Sequence, residues 1–358
     1  MKTNFNNLQS ISKLEYIPSL DGLRAIAVTM VMFLHAHFYL GKNGAIGVQI
    51  FFILSGFLIT TILLNEFYKN GTINIRFFYL KRTLRLFPAL FTLLIFVLIY
   101  AYFINNLILK NALFKEITAS ALYINNLVYG KGWWKNYNPI ALGHTWSLAV
   151  EEQFYIVWPC LLLFFMSYVG IKYLKLFLIF LFIFIFYSHI TNSFFLFSIL
   201  DDSLILGCLL AVFRFSGDIN FRISSKILCT SLFLLSFYGI SPFTYSIFSS
   251  NYLIYSRIFV DFLSSIVILG LVDNSTKNIT TKLLSTDLIV YIGKISYSLY
   301  LWHKPVFVFF SCLSLNFKPA SLFILKFFVT FILAILSWEL MEKKIINFGK
   351  AYLHKNRV

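Results

Sequence analysis

The sequence predicts an all-α fold, a polytopic membrane bundle of about ten transmembrane helices with both termini on the cytoplasmic side. Three observations predict it. First, 59% of the 358 residues are hydrophobic and only 12% are charged. A soluble domain carries roughly a quarter charged residues, so a chain this apolar needs lipid as its solvent. Second, the apolar residues fall in runs close to the roughly 20 residues that cross a hydrocarbon core. Third, Lys and Arg outnumber Asp and Glu by 30 to 14, and most of the excess falls in alternate loops, which is how membrane proteins fix their orientation.

The elements follow in order. Residues 1–17 are polar and read as a cytoplasmic segment. Runs at 23–40, 46–66, 86–104, 146–168, 171–190, 196–214, 226–241, 253–272, 289–311 and 320–340 supply the helices. The first run lacks a small-residue cleavage site and the second follows closely, so it reads as a retained span. Segment 111–130 is moderately apolar but holds Lys115 and Glu116, and reads as an interfacial or re-entrant part of a long loop. The transmembrane domain covers 18–345, and 346–358 forms a basic cytoplasmic tail. With the N-terminus inside, inner loops hold Lys69, Arg76, Lys81, Arg82, Arg85, Lys172, Lys175, Arg214, Arg222, Lys226, Lys277 and Lys282. The tail adds Lys343, Lys344, Lys350, Lys355 and Arg357. The outer loops hold fewer: Lys42, Lys110, Lys115, Lys131, Lys135 and Lys318. These charges are scattered among apolar runs, which argues against nucleic-acid binding. Cys160, Cys208, Cys229 and Cys312 lack metal-ligand spacing and read as small core hydrophobes; no metal is expected.

Ionisable residues inside a span are expensive and mark candidate sites. In the first span Asp21, Gly22 and Arg24 precede His35 and His37. Arg24 and His35 are eleven residues apart, about three turns and a rise of about 16 Å, so they share a face at different depths. A snorkelling Arg and a hydrogen-bonded His explain the pair. So does an anionic ligand at Arg24 with a base at His35, because imidazole titrates near neutral pH. In the second span Gly47, Ser55 and Gly56 are small residues that let helices approach closely.

Arg82 and Arg85, three apart, share a helical face before Pro88, which begins or bends the third span. They serve either as topogenic charge or as a guanidinium pair for phosphates. The densest segment is Gly143–Tyr155, where His144, Ser147, Glu151, Glu152 and Gln153 enter the membrane together. Adjacent carboxylates point about 100° apart on a helix, so Glu151 and Glu152 are not spaced as a glycosidase pair. One of them is suited to orient a histidine or carry a proton. The ninth span holds Tyr297 and His303. Arg257 and Asp261, one turn apart, are expected to pair with each other. Asp201 and Asp202 are expected at an exposed helix end. Under this topology His35, His144, Glu151, Glu152 and His303 map to the outer half, and Arg24, Arg82 and Arg85 to the inner face. An anionic donor bound from the cytosol and a reaction deeper in the membrane need that separation.

Leu20–Val28 with Arg24 and His35, Gly47–Thr60, Phe77–Pro88, Gly143–Pro159 and Ser296–Pro305 together resemble the acyltransferase 3 family of integral membrane acyltransferases. The resemblance implies about ten helices in a bacterial inner membrane. It implies acyl transfer, most often acetyl, from cytoplasmic acyl-CoA to a hydroxyl of an extracytoplasmic polysaccharide or lipid-linked glycan. Arg24, Arg82 and Arg85, with Ser55 and Tyr297, would bind the donor. His35 would remove the acceptor proton or take the acyl group itself, with His144, His303, Glu151 and Glu152 completing the catalytic set. Two stretches depart from the family pattern: Leu200-Asp201-Asp202, where relatives often carry an Arg, and Glu342-Lys343-Lys344, where they often have Glu-Lys-Pro. Some relatives add an extracytoplasmic hydrolase-like domain. This chain is expected to lack one, so its acceptor is acylated directly or through a separate extracytoplasmic acyltransferase partner. The partners implied are the lipid bilayer, acyl-CoA and the glycan acceptor. The rival classes are a proton-coupled transporter or flippase of a glycan precursor, which also uses intramembrane Asp, Glu and His, and a non-catalytic glycan-binding assembly partner.

Overall fold

The computed structural model describes residues 16–36, 41–128, 140–191, 200–219, 222–241, 252–273, 278–313 and 318–355. Most of the expected N-terminal segment, His37, Lys131, Lys135, Lys277 and Arg357 lie outside them. All regular structure among the described residues is helical. In chain order the α-helices are α1 (Pro18–His35), α2 (Ile46–Asn70), α3 (Ile75–Tyr102), α4 (Leu107–Ala121), α5 (Asn125–Val128), α6 (Trp146–Phe164), α7 (Ile171–Ile190) and α8 (Asp202–Phe215). There follow α9 (Ser225–Ile240), α10 (Tyr252–Val272), α11 (Ile279–Leu284), α12 (Asp287–Lys294), α13 (Ser296–Cys312), α14 (Pro319–Ser337) and α15 (Lys343–Lys355). A 3₁₀ turn, Gly143–Thr145, leads into α6.

Among the described residues five helical stretches are long and apolar enough to cross a membrane: Ile46–Asn70, Ile75–Tyr102, Gly143–Val169, Ile171–Ser188 and Pro319–Gly349. The protein is thus a multi-pass helical membrane protein. Several other apolar helices are short: α8 has 14 residues, α9 has 16 and α13 has 17.

The chain forms two compact units. The first comprises Met1–Leu34, Tyr39–Ile73 and Val157–Lys294; the second comprises His35–Phe38, Asn74–Ile156 and Ile295–Val358. In the first, α2 packs along α8, and α9 along α10, around a core that includes Leu23, Met30, Ile50, Phe57 and Val267. Small residues set these contacts. A Cβ at Gly56 would meet the Leu204 carbonyl oxygen, one at Gly207 the Ile53 oxygen, and one at Gly47 the Ala27 oxygen. Packing therefore explains these glycines.

Two expectations in this unit are corrected. Arg257 does not hydrogen-bond Asp261. Its Nη2 reaches Asp201 at 2.6 Å and Asp202 at 2.5 Å, and its Nε reaches Asp202 at 2.8 Å. Asp261 instead accepts the Ser203 hydroxyl at 2.8 Å. Asp201 and Asp202 are buried rather than exposed. The cause is local. Asp201 caps α8 by accepting the Ser203 N–H at 2.9 Å, which sets both carboxylates at a helix start that favours negative charge. A guanidinium from another helix reaches them in the fork geometry it prefers. The cysteines differ too. Only Cys208 is buried; Cys160, Cys229 and Cys312 are exposed. Lipid tails are as apolar as a core, so the hydrophobic effect does not force these side chains inward.

In the second unit α3 packs against α4, α13 and α15, and α13 against α14. Helix α3 starts eleven residues before the apolar run that predicts it, because Asn74 accepts the Phe77 N–H at 3.0 Å as an N-cap. It runs through Pro88 without ending. Arg82 and Arg85 are therefore helical residues, three apart on α3. Helix α15 continues past residue 345, so ordered helix extends into the expected tail.

Candidate active site

Helix α13 supplies the centre of the site. His303 is fully buried. Its Nδ1 lies 2.6 Å from the Tyr300 carbonyl oxygen, one turn back on the same helix. A carbonyl only accepts, so Nδ1 carries the hydrogen and Nε2 the lone pair. That Nε2 lies 3.1 Å from Nδ1 of His35, the last residue of α1. His35 therefore donates from Nδ1, and in its neutral form its own lone pair sits on Nε2. The two ring centroids are 5.0 Å apart.

His144 completes the group. It sits buried in the 3₁₀ turn before α6, with its ring centroid 5.0 Å from that of His303. Its Nε2 lies 3.2 Å from the Leu301 carbonyl oxygen, so Nε2 donates and Nδ1 carries the lone pair. That Nδ1 is buried and has no hydrogen-bond partner among the described residues. Tyr300 ties the two segments together. Its hydroxyl donates to the His144 carbonyl at 2.8 Å and accepts the Ser147 hydroxyl at 2.6 Å. The structure thus brings together His35, His144 and His303, with Tyr300 and Ser147 beside them.

The other expected residues fall elsewhere. Glu152 is eight residues beyond His144, about 12 Å of helical rise. Its carboxyl lies within electrostatic range of Arg82 and Glu151 rather than against an imidazole. Arg82 lays its guanidinium over the Tyr155 ring, 4.1 Å from the centroid. The Tyr297 hydroxyl donates to the Leu86 carbonyl on α3 at 3.1 Å, so Tyr297 belongs with this second group. Glu151 lies within electrostatic range of Tyr300. Arg85 is exposed, within range of Glu342. Arg24 and Ser55 belong to the first unit. Arg24 pairs with Asp21 at 2.6 Å, and Asp21 also accepts the Tyr16 hydroxyl at 2.7 Å.

Sequence reasoning passed over two buried acids. Glu342 lies in a π-helical turn, Trp338–Glu342, and accepts Ser298 at 2.5 Å and Ser337 at 2.8 Å. Glu116 lies in the moderately apolar segment and is 0% exposed. An isolated acid in an apolar run was the available signal; reading that run as interfacial hid it.

Apolar helices that bring three imidazoles together define the class: a multi-pass helical membrane protein with ionisable side chains buried in it. The chain belongs to the acyltransferase 3 family, whose acyltransferase domain profile matches residues 17–339. It is 33% identical over 388 residues to the peptidoglycan O-acetyltransferase OatA of Listeria monocytogenes serovar 1/2a, a match covering 96% of this chain and 58% of the relative. It is 31% identical over 373 residues to the O-acetyltransferase OatA of Staphylococcus aureus strain NCTC 8325, covering 97% and 60%. A putative O-acetyltransferase of Staphylococcus aureus strain COL is 30% identical, covering 95% and 60%. The chain spans about three fifths of the length of these relatives. No solved structure matches it.

Proposed function

We propose that this protein is a membrane-embedded O-acetyltransferase. It moves an acetyl group from cytoplasmic acyl-CoA to a hydroxyl of a glycan outside the bacterial cytoplasmic membrane. The observation that carries this reading is the hydrogen bond from His35 to His303, which leaves His35 Nε2 as the basic nitrogen. In the proposed reaction His35 Nε2 takes the proton of the acceptor hydroxyl as its oxygen attacks the acyl carbonyl carbon. His303 receives the Nδ1–H of the imidazolium that forms, and the Tyr300 carbonyl holds His303 in the tautomer this requires. The C–S bond breaks, and the leaving thiolate takes up the proton as a free thiol. In the alternative order His35 first accepts the acyl group itself.

Arg82 and Arg85 on one face of α3 are suited to donor phosphates, because guanidinium binds phosphate in bidentate fashion. Tyr297, whose hydroxyl bonds the Leu86 carbonyl on α3, completes the proposed donor site. About ten spans, with N- and C-termini inside, would place these arginines toward the cytosol and the imidazoles toward the acceptor. The Listeria relative's name favours peptidoglycan as the acceptor class.

The test compares surface-glycan acetylation by mass spectrometry with and without the gene. Purified protein is then assayed for transfer of label from acetyl-CoA to a glycan. Loss of glycan acetyl groups together with label transfer is expected. Proton-coupled substrate accumulation without covalent change would contradict the enzyme reading and favour a transporter.

A further inference from the structure

We propose that Glu116 is a positioning residue for His144, holding by its carboxylate the turn that presents that imidazole. This rests on reading the imidazole group as the active centre. Glu116 Oε2 accepts the backbone N–H of Ala141 at 2.9 Å and of Leu142 at 2.5 Å, and Oε1 accepts that of Ile140. These three consecutive residues lead directly into the 3₁₀ turn Gly143–Thr145. Successive N–H groups converging on one anion form a nest, and bonds to an ionised acceptor are roughly twice as strong as neutral ones. One turn further along α4, Ser120 bonds the Thr145 hydroxyl at 3.1 Å, and Thr145 donates to the Leu142 carbonyl at 2.7 Å. The buried face of α4, with Glu116 and Ser120, therefore grips both ends of the turn.

His144 depends on that grip. Its ring hydrogen-bonds through Nε2, while Nδ1 has no hydrogen-bond partner among the described residues, so its backbone sets where the lone pair points. Lys304, next to His303, lies within electrostatic range of both Glu116 and His144. A neutral side chain supplies neither the charge nor acceptors for all three N–H groups.

The experiment uses the full chain in detergent or proteoliposomes, with acetyl-CoA as donor. Glu116→Gln, Glu116→Asp, His144→Ala and the double variant Glu116→Gln/His144→Ala are compared for turnover, donor KM and amide exchange over 140–146. Glu116→Gln is expected to lose exchange protection over 140–142 and to lower kcat about tenfold or more, with donor KM within about twofold. Glu116→Asp, which keeps the charge, should recover part of both. In the His144→Ala background Glu116→Gln should cost less than about threefold further, because coupled residues are non-additive. Unchanged protection and turnover in Glu116→Gln overturns the proposal. So does an equal further loss in the His144→Ala background, which marks a role that does not pass through His144. Wild-type turnover in His144→Ala removes His144 from the active centre instead, and with it any positioning role.

Discussion

Two of the protein's buried polar clusters, one from each unit, are finished differently. In the first unit Arg257 meets Asp201 and Asp202 in charge-assisted bonds of 2.5–3.0 Å. Asp261 there takes the Ser203 hydroxyl. In the second unit the rings of His35 and His144 each lie 5.0 Å from that of His303, and among the described residues Nδ1 of His144 has no hydrogen-bond partner. A buried ion cluster with its bonds made is a staple. It costs stability to break and has little to offer a reactant. A cluster that leaves a lone pair unspent inside a bundle keeps a group available for a proton. The contrast separates the ionisable residues that hold the membrane fold from those suited to chemistry.

Breaking each cluster should therefore break different things. The largest expected effect is on turnover. His35→Ala should lower acyl transfer by roughly 10³-fold, the range for a general base, while its melting temperature stays at the wild-type value. Parallel activity and thermal-denaturation assays check this, and a large drop in melting temperature would move His35 to the structural class. Next, Arg257→Met should cost about 3–5 kcal/mol of stability by stranding buried carboxylates. Adding Asp201→Asn and Asp202→Asn should recover much of the loss. Denaturation in detergent measures both, and turnover per folded molecule should hold.

A smaller effect is expected at the helix contacts. Gly56→Ala, whose Cβ would meet the Leu204 carbonyl oxygen, should cost about 1–3 kcal/mol as overpacking. The same melting experiment reads it. The smallest effect is on donor affinity. Arg82→Ala with Arg85→Ala should raise donor KM about tenfold, equivalent to about 1.4 kcal/mol. An unchanged KM would leave those arginines to topology alone.

Much of this was legible in the sequence because membrane solvent makes polarity informative. His35, His144 and His303 stood out as ionisable groups within apolar runs, and the structure brings them together. The helical class followed from the same apolar runs. Pairings between helices were not legible. Arg257 has Asp261 one turn away on its own helix, yet the carboxylates it bonds come from the start of α8. The early start of α3 depends on one Asn side chain at a cap, where hydropathy carries no signal. Glu116 was missed because its partners are backbone N–H groups 24 to 26 residues away, which no spacing rule reveals.

The central claim is that His35 is the base and His303 its support. The most direct measurement is a double-mutant cycle on acetyl transfer from labelled acetyl-CoA, using His35→Ala, His303→Ala and the double variant in proteoliposomes. The account predicts that His303→Ala loses roughly 10²-fold, and that the double variant is no slower than His35→Ala alone. Losses that multiply, or wild-type turnover in His35→Ala, would contradict it.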